Sequence, residues 1–331
     1  MTKIMDKSII YNKICEASTI ALITHVNPDG DTLGAGLALY YFLLKLSKRV
    51  DIYCDASNGV DKLDFISGES VIRTSPSVEV YDLTIAIDIA DASRMGMMSV
   101  IFDKSRDTMV IDHHVSNPRF ARYNYVIDEA SSTCQIMYDI LVYIEDRYPR
   151  DNSTRIIDEK IASLLYAGLL TDSGAFYYPS TTSDTHRVAS ELYDIGINAN
   201  YIYTVLFKNV SYNKYRLKNI VMQKTRLYDD GRIGMAVITR EDFESTSTDM
   251  SDTEGIINMI QDIDTVKISI LVTQADKGSY KISFRSVESV DVNLVAGMFG
   301  GGGHKNASGC RLSGNIYEIQ DKLLYAARTA L

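Results

Sequence analysis

The chain has 331 residues, 46% hydrophobic and 23% charged, the balance of an ordinary globular protein of about two domains. A formal charge of −9 argues against gripping long nucleic acid by backbone charge, although local cations can still take up a short phosphorylated ligand. Cys15, Cys54, Cys134 and Cys310 fit neither a zinc spacing nor a disulfide framework, and neither a leader pattern nor an apolar run of about 18 residues occurs, so the expectation is a cytoplasmic protein without a membrane anchor.

Residues 4–18 read as a helix. The apolar stretch 18–24 reads as a strand covered on both faces, and it ends in His25-Val-Asn-Pro-Asp29-Gly-Asp31. Pro28 and Gly30 mark a turn, and Asp31 is placed to cap a helix over about 32–48. Gly34 and Gly36 permit close backbone packing along that helix. Strand 50–54 follows, then a loop-rich section, then the apolar strand 83–87 ending in Asp88. Strand 109–112 runs into Asp112-His113-His114, and strand 124–127 comes next. This order predicts an α/β fold, a mainly parallel sheet with helices on both faces. Further helices are predicted over 131–146, capped by Ser131-Ser132-Thr133, over 158–170, running into Thr171-Asp172-Ser-Gly174, and over 183–195, closed by Gly196. Residues 197–225, rich in Tyr, Asn and Lys, read as a helical connector between domains 1–196 and 226–331. The C-terminal part reads as a smaller α/β domain. It has strands at 234–238, 266–273, 280–285 and 310–312, helices at 254–262 and 316–330, and the run Gly300–Gly303 followed by His304.

Two of the five histidines stand side by side at a strand end. Singly, each polar group has an ordinary reading: His113 and His114 in a solvated loop, Asp31 as a helix cap, Asp88 as a strand end, Pro-Asp-Gly as a turn. Together they point to a site, because parallel strands bring their carboxyl ends to one edge. Four acids converging there with two or three imidazoles need pairing or cations. Two divalent ions meet that need. Mixed carboxylate and imidazole ligation suits Mn²⁺ better than Mg²⁺, with Co²⁺ a further alternative. Two ions ~3.5–4 Å apart can clamp a phosphoryl oxygen, as in phosphatases and nucleases. His186, at a helix start, reads as structural. The glycine run lets backbone N–H groups approach an anion. Alone it would equally be a flexible loop, and His304, Lys305 and Asn306 beside it favour binding.

The motifs His25-Val-Asn-Pro-Asp29-Gly-Asp31, Asp88-Ile-Ala-Asp91, Asp112-His113-His114 and Thr171-Asp172 resemble, in order, the four N-terminal motifs of the DHH phosphoesterases. Gly301-Gly302-Gly303-His304 with Asn306-Ala-Ser-Gly309 resembles the glycine-rich motif of their associated C-terminal domain, DHHA1. Thr32 and Ala35 depart from the family pattern after Asp31, and neither is a ligand position. Length and domain order are most similar to the oligoribonuclease and pAp-phosphatase (nanoRNase) subgroup. The resemblance implies that His25 and Asp29 hold one Mn²⁺, that Asp31, His113 and Asp172 hold a second, and that Asp88 bridges them. It implies that His114 contacts the scissile phosphate and that Asp112 orients an imidazole. In the C-terminal domain it implies that Gly301, Gly302, Gly303 and His304 bind the far end of a nucleotide and that Arg285 pairs with a terminal phosphate. The implied reaction is hydrolysis of short RNA or of linear dinucleotides such as pApA to mononucleotides, with removal of the 3′-phosphate of pAp. Neither long nucleic acid nor a membrane is an expected partner, and a homodimer is compatible with this reading. The alternatives are three. A RecJ-type single-strand exonuclease is opposed by length, charge and the lack of an extra oligonucleotide-binding domain. An inorganic pyrophosphatase is opposed by the glycine-histidine motif. A catalytically inactive nucleotide-binding regulator is opposed by the intact ligand set.

Overall fold

The computed structural model describes residues 5–56, 59–67, 71–77, 79–149, 155–287 and 289–331, with His304 described by its backbone alone. The chain divides into two units, Met1–Asn209 and Val210–Leu331.

Unit 1 runs α1 (Lys7–Glu16), β1 (Thr19–Thr24), α2 (Gly30–Lys45), β2 (Arg49–Cys54), α3 (Asp64–Ser67), β3 (Ile72–Arg73), β4 (Leu83–Ile87), a 3₁₀ segment (Ala92–Met98), α4 (Ser99–Lys104), β5 (Asp107–Asp112), β6 (Tyr123–Val126), α5 (Thr133–Glu145), α6 (Glu159–Asp172), α7 (Ser183–Asp194) and α8 (Ala199–Tyr203). Its sheet has the order β3-β2-β1-β4-β5-β6, and every neighbouring pair is parallel. The central strands β1 and β4 are buried along almost their whole length because both faces are covered. Ile20 and Leu22 of β1, Leu83, Ile85 and Ile87 of β4, and Met109 and Ile111 of β5 enter one core with residues of α2, α5 and α6. Ala21, Ile23, Ala86 and Val110 enter the other, against Met95, Met98, Ile101 and Phe102. The chain leaves β1 for β2 and β3 and returns to the far side of β1 at β4. The carboxyl ends of β1 and β4 therefore flank the point where an open parallel sheet forms its ligand crevice.

Helix α2 begins at Gly30, two residues earlier than expected. Asp29, rather than Asp31, is its N-cap, because the Asp29 carboxylate accepts from the amides of Asp31 and Thr32 at 3.1 Å each. Thr32 Oγ1 donates to the Ile87 carbonyl at 3.1 Å and ties α2 to the end of β4. Helices α2 and α6 meet through glycines. A Cβ on Gly34 would lie 2.6 Å from the Leu164 carbonyl oxygen, and one on Gly168 would lie 2.9 Å from the Gly30 carbonyl oxygen and 3.0 Å from Asp31 Cα. The start of α2 and the end of α6 are thus held at backbone contact.

Residues 197–209 of the stretch read as a helical connector lie in unit 1 and residues 210–225 in unit 2. Ala199 and Ile202 of α8 lie in the core of unit 1. In unit 2, Leu217 and Val221 of α9 (Tyr212–Lys224) pack with β8 (Ile233–Ile238). Unit 2 continues around these with β7 (Arg226–Tyr228), α10 (Arg240–Thr246), α11 (Ile256–Gln261), β9 (Ile268–Asp276), β10 (Ser279–Ser286), α12 (Val292–Gly297), β11 (Gly302–His304), β12 (Ala307–Ser313) and α13 (Ile316–Ala330). Its six strands have the order β11-β12-β10-β9-β8-β7 and are antiparallel except for the β8–β9 pair. Ile282 and Phe284 of β10 and Ile268, Ile270 and Val272 of β9 pack with α12 and α13 on one face. Leu271 turns to α9 and α11 on the other.

The glycine run is an edge strand, not an open loop. Gly302, Gly303 and His304 pair with Gly309, Ser308 and Ala307 of β12. A Cβ on Gly301 would lie 2.2 Å from the Gly309 carbonyl oxygen and one on Gly303 would lie 2.5 Å from that of Ala307, so both are glycines for packing reasons. Gly302 has no such crowding, its nearest atom being Asn293 Oδ1 at 3.7 Å. Asn306 closes the hairpin by donating to the carbonyls of Val287 and Val290 and to Ser286 Oγ. Among the described residues no helix is long and apolar enough to cross a membrane.

Candidate metal centre

The polar ends of β1, β4 and β5 converge with the start of α2 and the end of α6. Three sets of ligand atoms result, each with all its atoms within 4.8 Å of one another: His25, Asp29 and Asp88; Asp31, His113 and Asp172; and Asp88, His113 and His114. Asp88 and His113 each occur in two sets, so the six acids and imidazoles expected as ligands form one continuous cluster.

Each side chain has a distinct anchor. Asp29 spends Oδ1 on capping α2, and its Oδ2 faces His25 Nε2 at 3.5 Å. His25 Nε2 is 3.6 Å from Asp88 Oδ2. These separations are too long for direct hydrogen bonds and leave space for a shared cation. His25 Nδ1 is buried and has no hydrogen-bond partner among the described residues. Asp31 is held by the amino end of α5, its oxygens accepting from the amides of Thr133 at 2.7 Å and Cys134 at 2.8 Å. Asp88 follows β4 in left-handed backbone conformation, φ 58°, a strained state for a non-glycine residue that turns its carboxylate into the crevice. Thr133 Oγ1 donates to Asp88 Oδ1 at 2.9 Å. His113 Nδ1 lies 3.3 Å from the Ala130 carbonyl, which fixes the proton on Nδ1. Its Nε2 then faces Asp172 at 3.4 Å and Asp88 at 3.7 Å with a free lone pair. Asp172 is the last residue of α6 and owes its place to the Gly34 and Gly168 contacts.

His114 differs. Its Nδ1 hydrogen-bonds Asp112 Oδ1 at 2.7 Å, and it lies 3.6 Å from Asp88 Oδ1. Asp112 is fully buried, and its other oxygen accepts from Asn117 Nδ2 at 2.7 Å. The sequence pointed to neither Asn117 nor Thr133 as part of the site. Thr133 carried a signal, its place in the Ser-Ser-Thr capping run, whereas Asn117 carried none beyond lying three residues past His114.

The electrostatics show how much negative charge the crevice holds. Burial raises Asp31 well above the usual carboxylate range, and Asp88, Asp172 and Asp29 add to the rise. Burial likewise lifts Asp172 to about 7, with Asp88 and Asp29 acting upward against His113 and His114. Asp88 stays below the usual range, because the contacts to His25, His113 and His114 outweigh its burial. Burial presses His25 downward, but Asp29 and Asp88 carry it to about 9. Asp112 does the same for His114, which is raised against its burial. Hard oxygen and imidazole donors and like charges in low dielectric form a set that fits divalent cations.

In unit 2, Arg285, Ala307 and His304 occupy one row across β10, β12 and β11. Arg285 Nη1 donates to the Phe284 carbonyl at 2.9 Å. The His304 side chain lies outside the described residues. His186 stacks its ring on Phe176, centroids 5.0 Å apart, as a packing residue would.

Residues 19–169 match the DHH family N-terminal domain and residues 233–329 match the DHHA1 domain. A Thermus thermophilus protein named as a bifunctional oligoribonuclease and PAP phosphatase is 27% identical over 319 residues, covering 94% of this chain and 90% of its own. A Bacillus subtilis protein of the same name is 25% identical, covering 92% and 93%. The crystal structure of an exopolyphosphatase-related protein from Bacteroides fragilis superposes with a TM-score of 0.90 at 26% identity, covering 99% of this chain and 98% of its own. With both domains present in order and the acidic–imidazole cluster at the matching strand ends, the chain belongs to the DHH/DHHA1 phosphoesterase family.

Proposed function

We propose that the chain is a Mn²⁺-dependent phosphoesterase that hydrolyses short oligoribonucleotides or linear dinucleotides such as pApA to mononucleotides and removes the 3′-phosphate of pAp. The observation that carries this reading is the shared position of Asp88 between the His25/Asp29 and the His113 ligand sets. His25, Asp29 and Asp88 would hold one ion, and Asp31, His113, Asp172 and Asp88 the other. Bound there, two divalent ions supply Lewis-acid stabilisation of charge developing on the phosphoryl oxygens.

The chain's own residues do the rest. Asp112 orients His114 through Nδ1 and leaves Nε2 for the substrate. Asn117 holds Asp112, whose carboxylate on Nδ1 suits His114 to pass a proton from Nε2 to the leaving oxygen. The Ala130 carbonyl sets the tautomer that His113 needs as a ligand. In unit 2, Arg285 and the Gly301–His304 segment would hold the nucleotide's distal phosphate, for which a guanidinium fork beside exposed edge-strand amides is suited. The names of the two relatives given above support these substrates.

The test is Asp88→Ala. Loss of a shared ligand disturbs both ions, so turnover of pAp and pApA falls by about 10³-fold or more while circular dichroism stays that of the wild type. Full activity of this variant in Mn²⁺-replete buffer would remove the two-ion reading.

A further inference from the structure

Arg94 carries a charge that the centre described above does not use. It is half-buried, on the Ala92–Met98 segment that follows β4 and Asp88. Its guanidinium makes no hydrogen bond or ion pair with a described residue. Elsewhere in unit 1, Arg49, Arg73, Arg106, Arg122 and Arg187 each reach a carboxylate within 3.0 Å. A half-buried guanidinium without a partner has given up part of its hydration with nothing in the fold to replace it.

The backbone around Arg94 is nevertheless fixed. Its carbonyl accepts from Val26 N–H at 2.9 Å, directly after His25, and its own N–H donates to the Asp91 carbonyl at 3.0 Å. Asp55 accepts from Met97 N–H at 2.7 Å. Gly96, at φ 56°, brings the segment so close that a Cβ there would lie 2.0 Å from Asp55 Oδ2 and 2.8 Å from Val26 Cγ1. The segment is thus pressed onto the carboxyl ends of β1 and β2, at the crevice. The Val26–Arg94 bond sets this segment one residue from His25 of the ligand cluster.

We propose that Arg94 binds the non-bridging oxygens of the scissile phosphoryl group, as a fixed cation at the edge of the crevice. This rests on the phosphoesterase reading and adds to it a substrate-binding residue from the chain itself. A planar guanidinium fits two phosphate oxygens at once, holds its charge at every working pH and, being partly desolvated, acts strongly. An anchored backbone with an unengaged head group is the preorganised state such a contact needs, since little reorganises when substrate arrives.

The experiment is isothermal titration of the Mn²⁺-loaded full chain with inorganic phosphate, comparing wild type, Arg94→Gln and Arg94→Lys, with bound Mn²⁺ measured in each. The expected result is a loss of phosphate affinity of about 10- to 100-fold in Arg94→Gln, as for one charge-assisted contact, and partial recovery in Arg94→Lys, with metal content unchanged. The pAp turnover of Arg94→Gln should fall in step. Unchanged phosphate affinity, or loss of Mn²⁺ from both variants, would overturn the proposal, the second by showing that Arg94 supports the metal site instead. Arg94-dependent phosphate binding in a wild-type protein that hydrolyses neither pAp nor pApA would keep Arg94 as the anion-binding residue and remove the hydrolase reading.

Discussion

His113 and His114 are neighbours in sequence with different partners. The Ala130 carbonyl and two carboxylates surround His113, whereas Asp112 claims His114 at 2.7 Å. His113→Ala should therefore lower bound Mn²⁺ and turnover together. His114→Ala should lower turnover by about 10²–10⁴-fold, the range for loss of a proton donor, with metal content near wild type. Elemental analysis beside steady-state kinetics checks this, and equal metal loss in the two variants would make His114 a ligand in the set it shares with Asp88 and His113. The ligand candidates were legible in the sequence because each stands where an apolar run stops. Thr133 and Asn117 were not, because a threonine in a capping run and an asparagine before a proline have local explanations. Only the folded chain brings Thr133 to Asp88, 45 residues away.

At the scale of elements, the centre depends on how closely α2 and α6 approach. Gly34 was legible as a packing glycine, but Gly168 lies in an apolar helix where the sequence gives no local reason for it. In the fold, a Cβ on Gly168 would lie 2.3 Å from Cys134 Sγ and 3.0 Å from Asp31 Cα. Gly168→Ala should therefore cost about 1–3 kcal/mol by overpacking, seen as a lower denaturant midpoint, and should weaken Mn²⁺ binding by shifting Asp31 relative to Asp172. Wild-type stability with wild-type metal affinity would show that the helices can part without consequence. The parallel order of unit 1 was legible because β1, β4 and β5 carry apolar runs and helices alternate with most of the strands. The short elements were not: the Ala92–Met98 turn, α12 and β11 have too few residues to display a period, and β11 is built of glycines whose role depends on β12.

At the scale of the whole molecule, the metal cluster belongs entirely to unit 1 and the Arg285–His304 row entirely to unit 2. If unit 2 holds the substrate's distal phosphate, the double variant Arg285→Ala, His304→Ala should keep its Mn²⁺ and its slow hydrolysis of bis-p-nitrophenyl phosphate. It should lose about 10²-fold or more in kcat/KM for pApA, because binding energy from the non-reacting end is used for positioning. Unchanged cleavage of pApA by a folded double variant would release unit 2 from that role. The most direct test of the central claim is a single hydrolysis panel with Mn²⁺ and with chelator, using pAp, pApA, five-residue and 24-residue RNA, and pyrophosphate. The account predicts Mn²⁺-dependent turnover of pAp, pApA and the five-mer, with the 24-mer and pyrophosphate left essentially intact. Preference for the 24-mer or pyrophosphate, or undiminished turnover in chelator, would contradict it.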